Sequence, residues 1–311
     1  MKKWKWVLSL PSDTAYLREQ IIAARNAAER LGAEVQVLNA EMDSVTQSQQ
    51  LLSLIQSPTA SRPDGILVEP VSAAGLPRVA EAAVAGGIAW VVSNAQVDYI
   101  GTLRKNAKVP VFLISLDHVE VGRIQGRQIG ALLPEGGSVL YLRGPAMNSI
   151  ACKRFEGLEA AKPKNVELKS LKVQGATSED AYNAVCSWLN LSTVHPEATQ
   201  MIVSQNVDFI FGARKAFEAN VAEPIRSKWF ALPCVGAGVP SQTRSLVDQG
   251  ALCAAVLTSL TLGTAVEMLV QAMKNKSQPQ EHTYVEAHSY PSLEELASRR
   301  TKKESGHLVT T

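Results

Sequence analysis

Residues 6–38, WVLSLPSDTAYLREQIIAARNAAERLGAEVQVL, decide the fold. Trp6–Leu10 is an apolar run, Pro11, Ser12, Asp13 and Thr14 are turn residues, and a helix is predicted from about Ala15 to Leu31. Its apolar positions Leu17, Ile21, Ala24, Ala28 and Leu31 recur at spacings of four and three, which predicts one buried helical stripe. Gly32 is placed to end it. Glu34–Leu38 then alternates polar and apolar side chains, so the stretch reads as strand, helix, strand. A βαβ unit of this kind opens a parallel α/β sheet.

Working outward, the alternation continues. A Gln-rich helix is predicted over Ser44–Gln56, a strand over Ile66–Val68, a helix over Pro77–Ala85 closed by Gly86 and Gly87, and strands over Ile88–Val92 and Val109–Ser115. Asp117 is placed to cap a helix over Val119–Leu132. A second series follows: strand Ser138–Leu142, helix Ser149–Ala161, strand Leu168–Val173, helix Ser178–Leu191, strand Met201–Ser204 and a helix near Phe209–Ala219. Strand Ala231–Gly236, helix Gln242–Gln249, strand Ala251–Val256 and helix Leu262–Lys274 complete it. Two such runs predict two doubly wound parallel-sheet lobes covered by helices on both faces. The charged end 291–311, with Arg299, Arg300, Lys302 and Lys303, reads as a short helix and a solvated tail.

Bulk properties exclude several functions. With 46% hydrophobic and 19% charged residues over 311 positions, the chain has the balance of a folded protein with room for two cores. A net charge of +2 carries no polyanion footprint, so direct nucleic-acid binding is not expected. No stretch reaches transmembrane length, and membrane insertion is not expected either. Met1, Lys2 and Lys3 imitate the start of a secretory signal, but the apolar run that follows is short and is needed as the first strand. The expectation is a cytoplasmic location for the chain as it stands, and a periplasmic one if its natural start lies upstream.

Chemistry-bearing motifs are absent. The four cysteines, Cys152, Cys186, Cys234 and Cys253, form no CxxC and read as buried free thiols, and the five histidines form no HExxH, so no metal is expected. Gly236-Ala237-Gly238 reads as a turn rather than a dinucleotide loop, and neither GxxxxGK[ST] nor GxSxG occurs. No cofactor and no catalytic residue are expected. What the chain does offer is polar residues at the carboxyl ends of predicted strands: Ser12–Thr14, Asn94, Asp117, Asn206 and Thr258. That edge is where open α/β sheets hold ligands. Each of these residues is equally suited to capping a helix, Asp13 and Asp117 above all. Glu69, directly after a buried strand, reads as a ligand contact or as a solvated edge residue.

Four segments carry a family resemblance: Gly144–Gly157 (GPAMNSIACKRFEG), His195–Asn206 (HPEATQMIVSQN), Val235–Gly238 and Gln249-Gly250. With these landmarks the chain resembles the type I periplasmic binding proteins, in the ribose-binding-like branch shared with effector domains of LacI-type regulators, over about residues 5–290. The resemblance implies two lobes joined by three hinge strands, with a ligand held in the cleft. The lobes would be 1–116 plus 259–286 and 117–258 plus 287–290, followed by a tail of 291–311. It also implies that Tyr16 stacks on a sugar ring, that Asp13 and Thr14 stand where the family has asparagines, that Asn206 and Asp117 bond sugar hydroxyls, and that Arg154 is the second arginine of the family's RxR pattern. Departures are implied as well. The family's main pocket arginine falls on Cys152, its strand-end aspartate on Asn94, its late phenylalanine-aspartate pair on Ala237 and Gly238, and the aromatic that opens its middle helix on Ala176.

The expected ligand-binding set is therefore Asp13, Thr14, Tyr16, Asn94, Asp117, Arg154, Asn206 and Thr258. The expected function is non-enzymatic binding of a small polar, carbohydrate-like ligand, serving an ABC permease or a sensor. The alternative is a LacI-type effector domain acting through a partner, since no helix-turn-helix fits before Trp6. An enzyme on the same scaffold is the third reading.

Overall fold

The computed structural model describes residues 3–72 and 74–298. In chain order the first elements are β1 (Trp4–Leu10), α1 (Ala15–Leu31), β2 (Ala33–Asn39), α2 (Ser44–Gln56), β3 (Gly65–Val68), α3 (Pro77–Ala85), β4 (Ala89–Ser93), α4 (Ile100–Arg104) and β5 (Val111–Leu116). There follow α5 (His118–Leu132), β6 (Gly137–Arg143), α6 (Ser149–Ala161), β7 (Val166–Lys172), α7 (Ser178–Leu189), β8 (Met201–Ser204), α8 (Val207–Asn220), α9 (Ile225–Ala231), β9 (Cys234–Gly238), α10 (Pro240–Asp248) and β10 (Ala254–Thr258). The series closes with α11 (Thr261–Asn275), β11 (His282–Val285) and β12 (Ala287–Tyr290).

Two compact units result. One takes the residues up to Leu116 with Leu260–Val285, the other Asp117–Ser259 with the residues from Glu286 onward. The first unit holds a six-stranded sheet ordered β11-β5-β4-β3-β1-β2, parallel throughout. The second holds a six-stranded sheet ordered β12-β10-β9-β8-β6-β7. There β12 runs antiparallel to β10, which corrects the expectation of parallel strands only. Strand β12 is at the edge of its sheet, where an otherwise parallel α/β sheet commonly carries an antiparallel strand.

The first unit's core gathers Val7, Ile66, Val68, Trp90 and Val92 from the strands with Leu51, Ile55 and Val79 from the helices. Helix α1 is capped by Thr14, whose hydroxyl accepts from the Leu17 N–H at 3.3 Å, and ends at Gly32 with φ 74°. Asp13 is thus not the cap. The buried side of α1 is Leu17, Gln20, Ala24, Ala27 and Ala28, with Ile21 and Leu31 only half-buried. Leu17, Ala24 and Ala28 of the predicted stripe are buried, while Gln20 and Ala27 take the places expected of Ile21 and Leu31.

In the second unit Phe217 stacks on Trp229 with centroids 5.0 Å apart, and Trp188 meets Trp229 edge-on at 5.5 Å. Trp229 anchors α9, and because α9 runs to Ala231 the next strand begins at Cys234, not at Ala231 as the sequence suggested. Gly236, Ala237 and Gly238 accordingly lie in β9 and not in a turn. Only Cys234 of the four free cysteines is buried, and burial pushes its thiol up to about 11. The segment after β12 is docked in its first part: Leu296 is buried in the core with Ile129, Tyr141 and Leu158. Arg299, Arg300, Lys302 and Lys303 lie outside the described residues.

Candidate functional site

In the first unit, β1, β3 and β4 are neighbours, and the residues after their carboxyl ends form a polar cluster. Asn94 leaves β4 with φ 54°, in the left-handed region that asparagine tolerates better than most residues. Its Nδ2 donates to Glu69 Oε2 at 3.0 Å, to Tyr16 Oη at 3.1 Å and to Thr261 Oγ1 at 3.2 Å. Tyr16 Oη also accepts from Gln20 Nε2 at 2.6 Å, while Gln20 Oε1 accepts from the Leu262 N–H at 3.0 Å. One buried glutamine on α1 thereby ties the tyrosine to the start of α11.

A second buried glutamine holds the loop after β3. Gln47 Nε2 donates to Ser9 Oγ at 3.1 Å and to the Glu69 carbonyl at 3.0 Å, and its Oε1 accepts from the Val71 N–H at 2.9 Å. Glu69 is not a solvated edge residue: it is half-buried and its carboxyl accepts from Asn94. Burial pushes the Glu69 carboxyl up to about 7, and that bond offsets only part of the rise.

Of the residues expected here, Tyr16 and Asn94 are brought together. Asp13 and Thr14 are not part of the cluster. Arg18 Nε and Nη2 bond the Asp13 carboxylate at 2.8 and 3.1 Å and hold it below the usual carboxylate range, and Thr14 serves as the α1 cap. Glu69 completes the cluster with Gln20 and Thr261, which sequence reasoning passed over. The available signal was Gln20 in phase with an apolar stripe.

In the second unit the strand ends of β6 and β8 are joined through Gln205. Its Oε1 accepts from the Gly144 N–H at 3.0 Å, its Nε2 donates to the Ala151 carbonyl at 2.8 Å, and its own carbonyl accepts from Arg154. Arg154 and Asn206 are therefore neighbours around one residue. Asn206 caps α8, with Oδ1 accepting from the Asp208 N–H at 3.1 Å, and Asp117 caps α5 by accepting from the Glu120 N–H at 3.0 Å. Thr258 is buried as the last residue of β10, opposite Ala287 of β12. Cys152, at the position where the family has an arginine, receives Arg143 Nη2 at 3.7 Å, and that guanidinium lies 4.1 Å from the centre of the Phe155 ring.

His118, not singled out in the sequence, has both ring nitrogens buried without a partner among the described residues. Burial, reinforced by the charges of Arg154 and Lys153, pulls it down to about 3, so it is neutral at physiological pH. Among the described residues no group of three His, Cys, Asp or Glu is placed to hold a metal, and no helix is long and apolar enough to cross a membrane. A cavity of about 710 Å³ in the first unit is lined by Glu81, Asp98, Tyr99 and Lys108 on the α3–α4 side and includes none of the strand-end cluster.

The model of the periplasmic binding protein domain matches residues 6–277. Among solved structures, the arabinose-transporter binding protein of Shewanella sp. ANA-3, bound to arabinofuranose, is 20% identical over 99% of this chain and 98% of its own, with a TM-score of 0.74. An ABC-transporter periplasmic solute-binding protein of Actinobacillus succinogenes 130z with bound D-allose gives 17% identity over 92% and 97%, with a TM-score of 0.76. The fructose-binding periplasmic domain of a hybrid two-component system gives 17% over 97% and 96%, with a TM-score of 0.71. No curated protein sequence matches the chain. Two doubly wound units over nearly the full length, and a family model spanning both, lead to one conclusion: the chain belongs to the periplasmic binding protein domain family.

Proposed function

We propose that this chain is a non-enzymatic solute-binding protein whose ligand is a small hydroxyl-rich molecule of the sugar or cyclitol class. The observation that carries this reading is the Tyr16–Gln20–Glu69–Asn94–Thr261 cluster, a set of cross-braced polar side chains at the carboxyl edge of a parallel sheet, where such sheets bind ligands. Amides, hydroxyls and a carboxyl in one place suit a ligand that both donates and accepts hydrogen bonds. The solved relatives, which bind arabinofuranose, allose and fructose, support the same ligand class.

On this reading the ligand is held between the two units. Tyr16 and Asn94 contact it from the first, and Arg154, Asn206 and Thr258 from the second. The connections at Leu116–Asp117, Ser259–Leu260 and Val285–Glu286 act as the hinge that lets the units close on it. Asp13, Thr14 and Asp117 contribute by shaping the loops, since each already has a partner within its own unit. Delivery to an ABC permease and presentation to a sensor are both served by such closure, and two of the relatives named above represent the two uses.

A thermal-shift screen with pentoses, hexoses, inositols and nucleosides tests the proposal. A ligand present at about one hundred times its dissociation constant stabilises by about 2.7 kcal/mol and raises the melting temperature visibly. Replacing Tyr16 with Phe, which keeps the ring and removes the hydroxyl that Asn94 and Gln20 share, should reduce that shift. A protein whose melting temperature no compound moves is not a binder of this ligand class.

A further inference from the structure

Within the strand-end cluster of the first unit, the Glu69 carboxyl is short of hydrogen-bond donors. Glu69 receives one amide hydrogen, from Asn94, and no cation pairs with it among the described residues. That amide has two hydrogens but three acceptors within 3.2 Å. Asn94 Oδ1 is itself buried with no donor among the described residues. Arg18, a cation on the same edge, is taken by Asp13 through two bonds. The residue after β4, where the family resemblance places an aspartate, is the neutral Asn94, and the negative group stands on the neighbouring strand end at Glu69.

A carboxyl in this position costs free energy when ionised unless something positive arrives. A ligand hydroxyl brings one hydrogen and no charge, whereas an ammonium brings three hydrogens and a compensating charge. We propose that Glu69 is a specificity-determining residue that selects a ligand carrying a protonated amine among its hydroxyls, an amino sugar or an aminocyclitol, over the neutral counterpart. The inference rests on the solute-binding reading of this cluster. Glu69 is half-buried rather than sealed, so a ligand group can reach it.

Isothermal titration with matched pairs tests it: galactosamine against galactose, glucosamine against glucose, and an aminocyclitol against myo-inositol, with the N-acetylated amines as size controls. The wild-type protein should bind the amine member of at least one pair about ten-fold or more tightly than its partner, and the N-acetylated form should behave as the neutral one. Glu69→Gln, which keeps an acceptor for Asn94 and removes the charge, should bring the two members level. Equal binding of neutral and amine members by the wild type overturns the inference and leaves the solute-binding reading standing. An amine preference that survives Glu69→Gln also overturns it, because the selecting charge then lies elsewhere. If no member of any pair binds, the solute-binding reading falls and the inference falls with it.

Discussion

Folding favours the protonated form of Glu69 relative to the unfolded chain, and this gives it a pH dependence opposite to that of a paired carboxylate. Its carboxyl stands at about 7 in the folded chain against 4.5 when unperturbed, so the folded state holds the extra proton between those values. Stability from this group is complete below the unfolded value and is lost as pH rises through the folded one. Glu69→Gln should therefore stabilise the protein by about 2 kcal/mol at pH 8 and leave it nearly unchanged at pH 4. Melting temperatures of both forms across that range decide the matter, and a variant no more stable than wild type at pH 8 means the carboxyl is better solvated than its burial suggests. The same residue shows why the site was only partly legible. Asn94 was visible because it follows a strand and Tyr16 through the family resemblance, whereas the partners that Gln20 and Gln47 bond lie far along the chain and leave no local mark.

Among the elements, helices with strong end signals were read closely: α2, α3 and α6 have the predicted bounds, each set off by a cap or by proline and glycine. Short elements were missed. Helix α9 has seven residues and owes its place to Trp229 against Phe217, a tertiary contact that no local pattern announces. The pair α5 and α6 shows the converse, a contact written in glycine. A Cβ on Gly157 would lie 1.9 Å from the Val119 carbonyl oxygen, and one on Gly122 would lie 2.0 Å from that of Arg154. Backbone meets backbone at both places, so Gly157→Ala must push the two helices apart. We expect a loss of about 3 kcal/mol in urea unfolding. Because Arg154 rides on α6 and bonds the carbonyl beside Asn206, ligand affinity should weaken as well, and an unchanged affinity would remove Arg154 from the site.

At the scale of the whole molecule, two series of alternating strands and helices told of two sheets, and the resemblance told that the chain passes between units three times. The antiparallel β12 and the docked Leu296 were beyond local patterning, because both depend on which neighbour an edge happens to meet. If the units close on a ligand together, hydrogen exchange on ligand addition should slow at once in residues 11–16, 69–71 and 94–97 of the first unit and 204–206 of the second. Protection confined to one unit would reject closure and leave a one-sided site.

The last part of the first unit comes from far along the chain. Strand β11 completes its sheet beside β5, and α11 supplies eight buried residues, among them Thr261, which accepts from Asn94. On the ribosome the first unit must therefore wait, its sheet edge and one face of α1 uncovered, while Asp117–Ser259 is made and folds as an insertion. The Tyr16–Gln20–Glu69–Asn94–Thr261 cluster cannot be complete until the chain has been made through the start of α11, so its first and last members join across a whole folded unit.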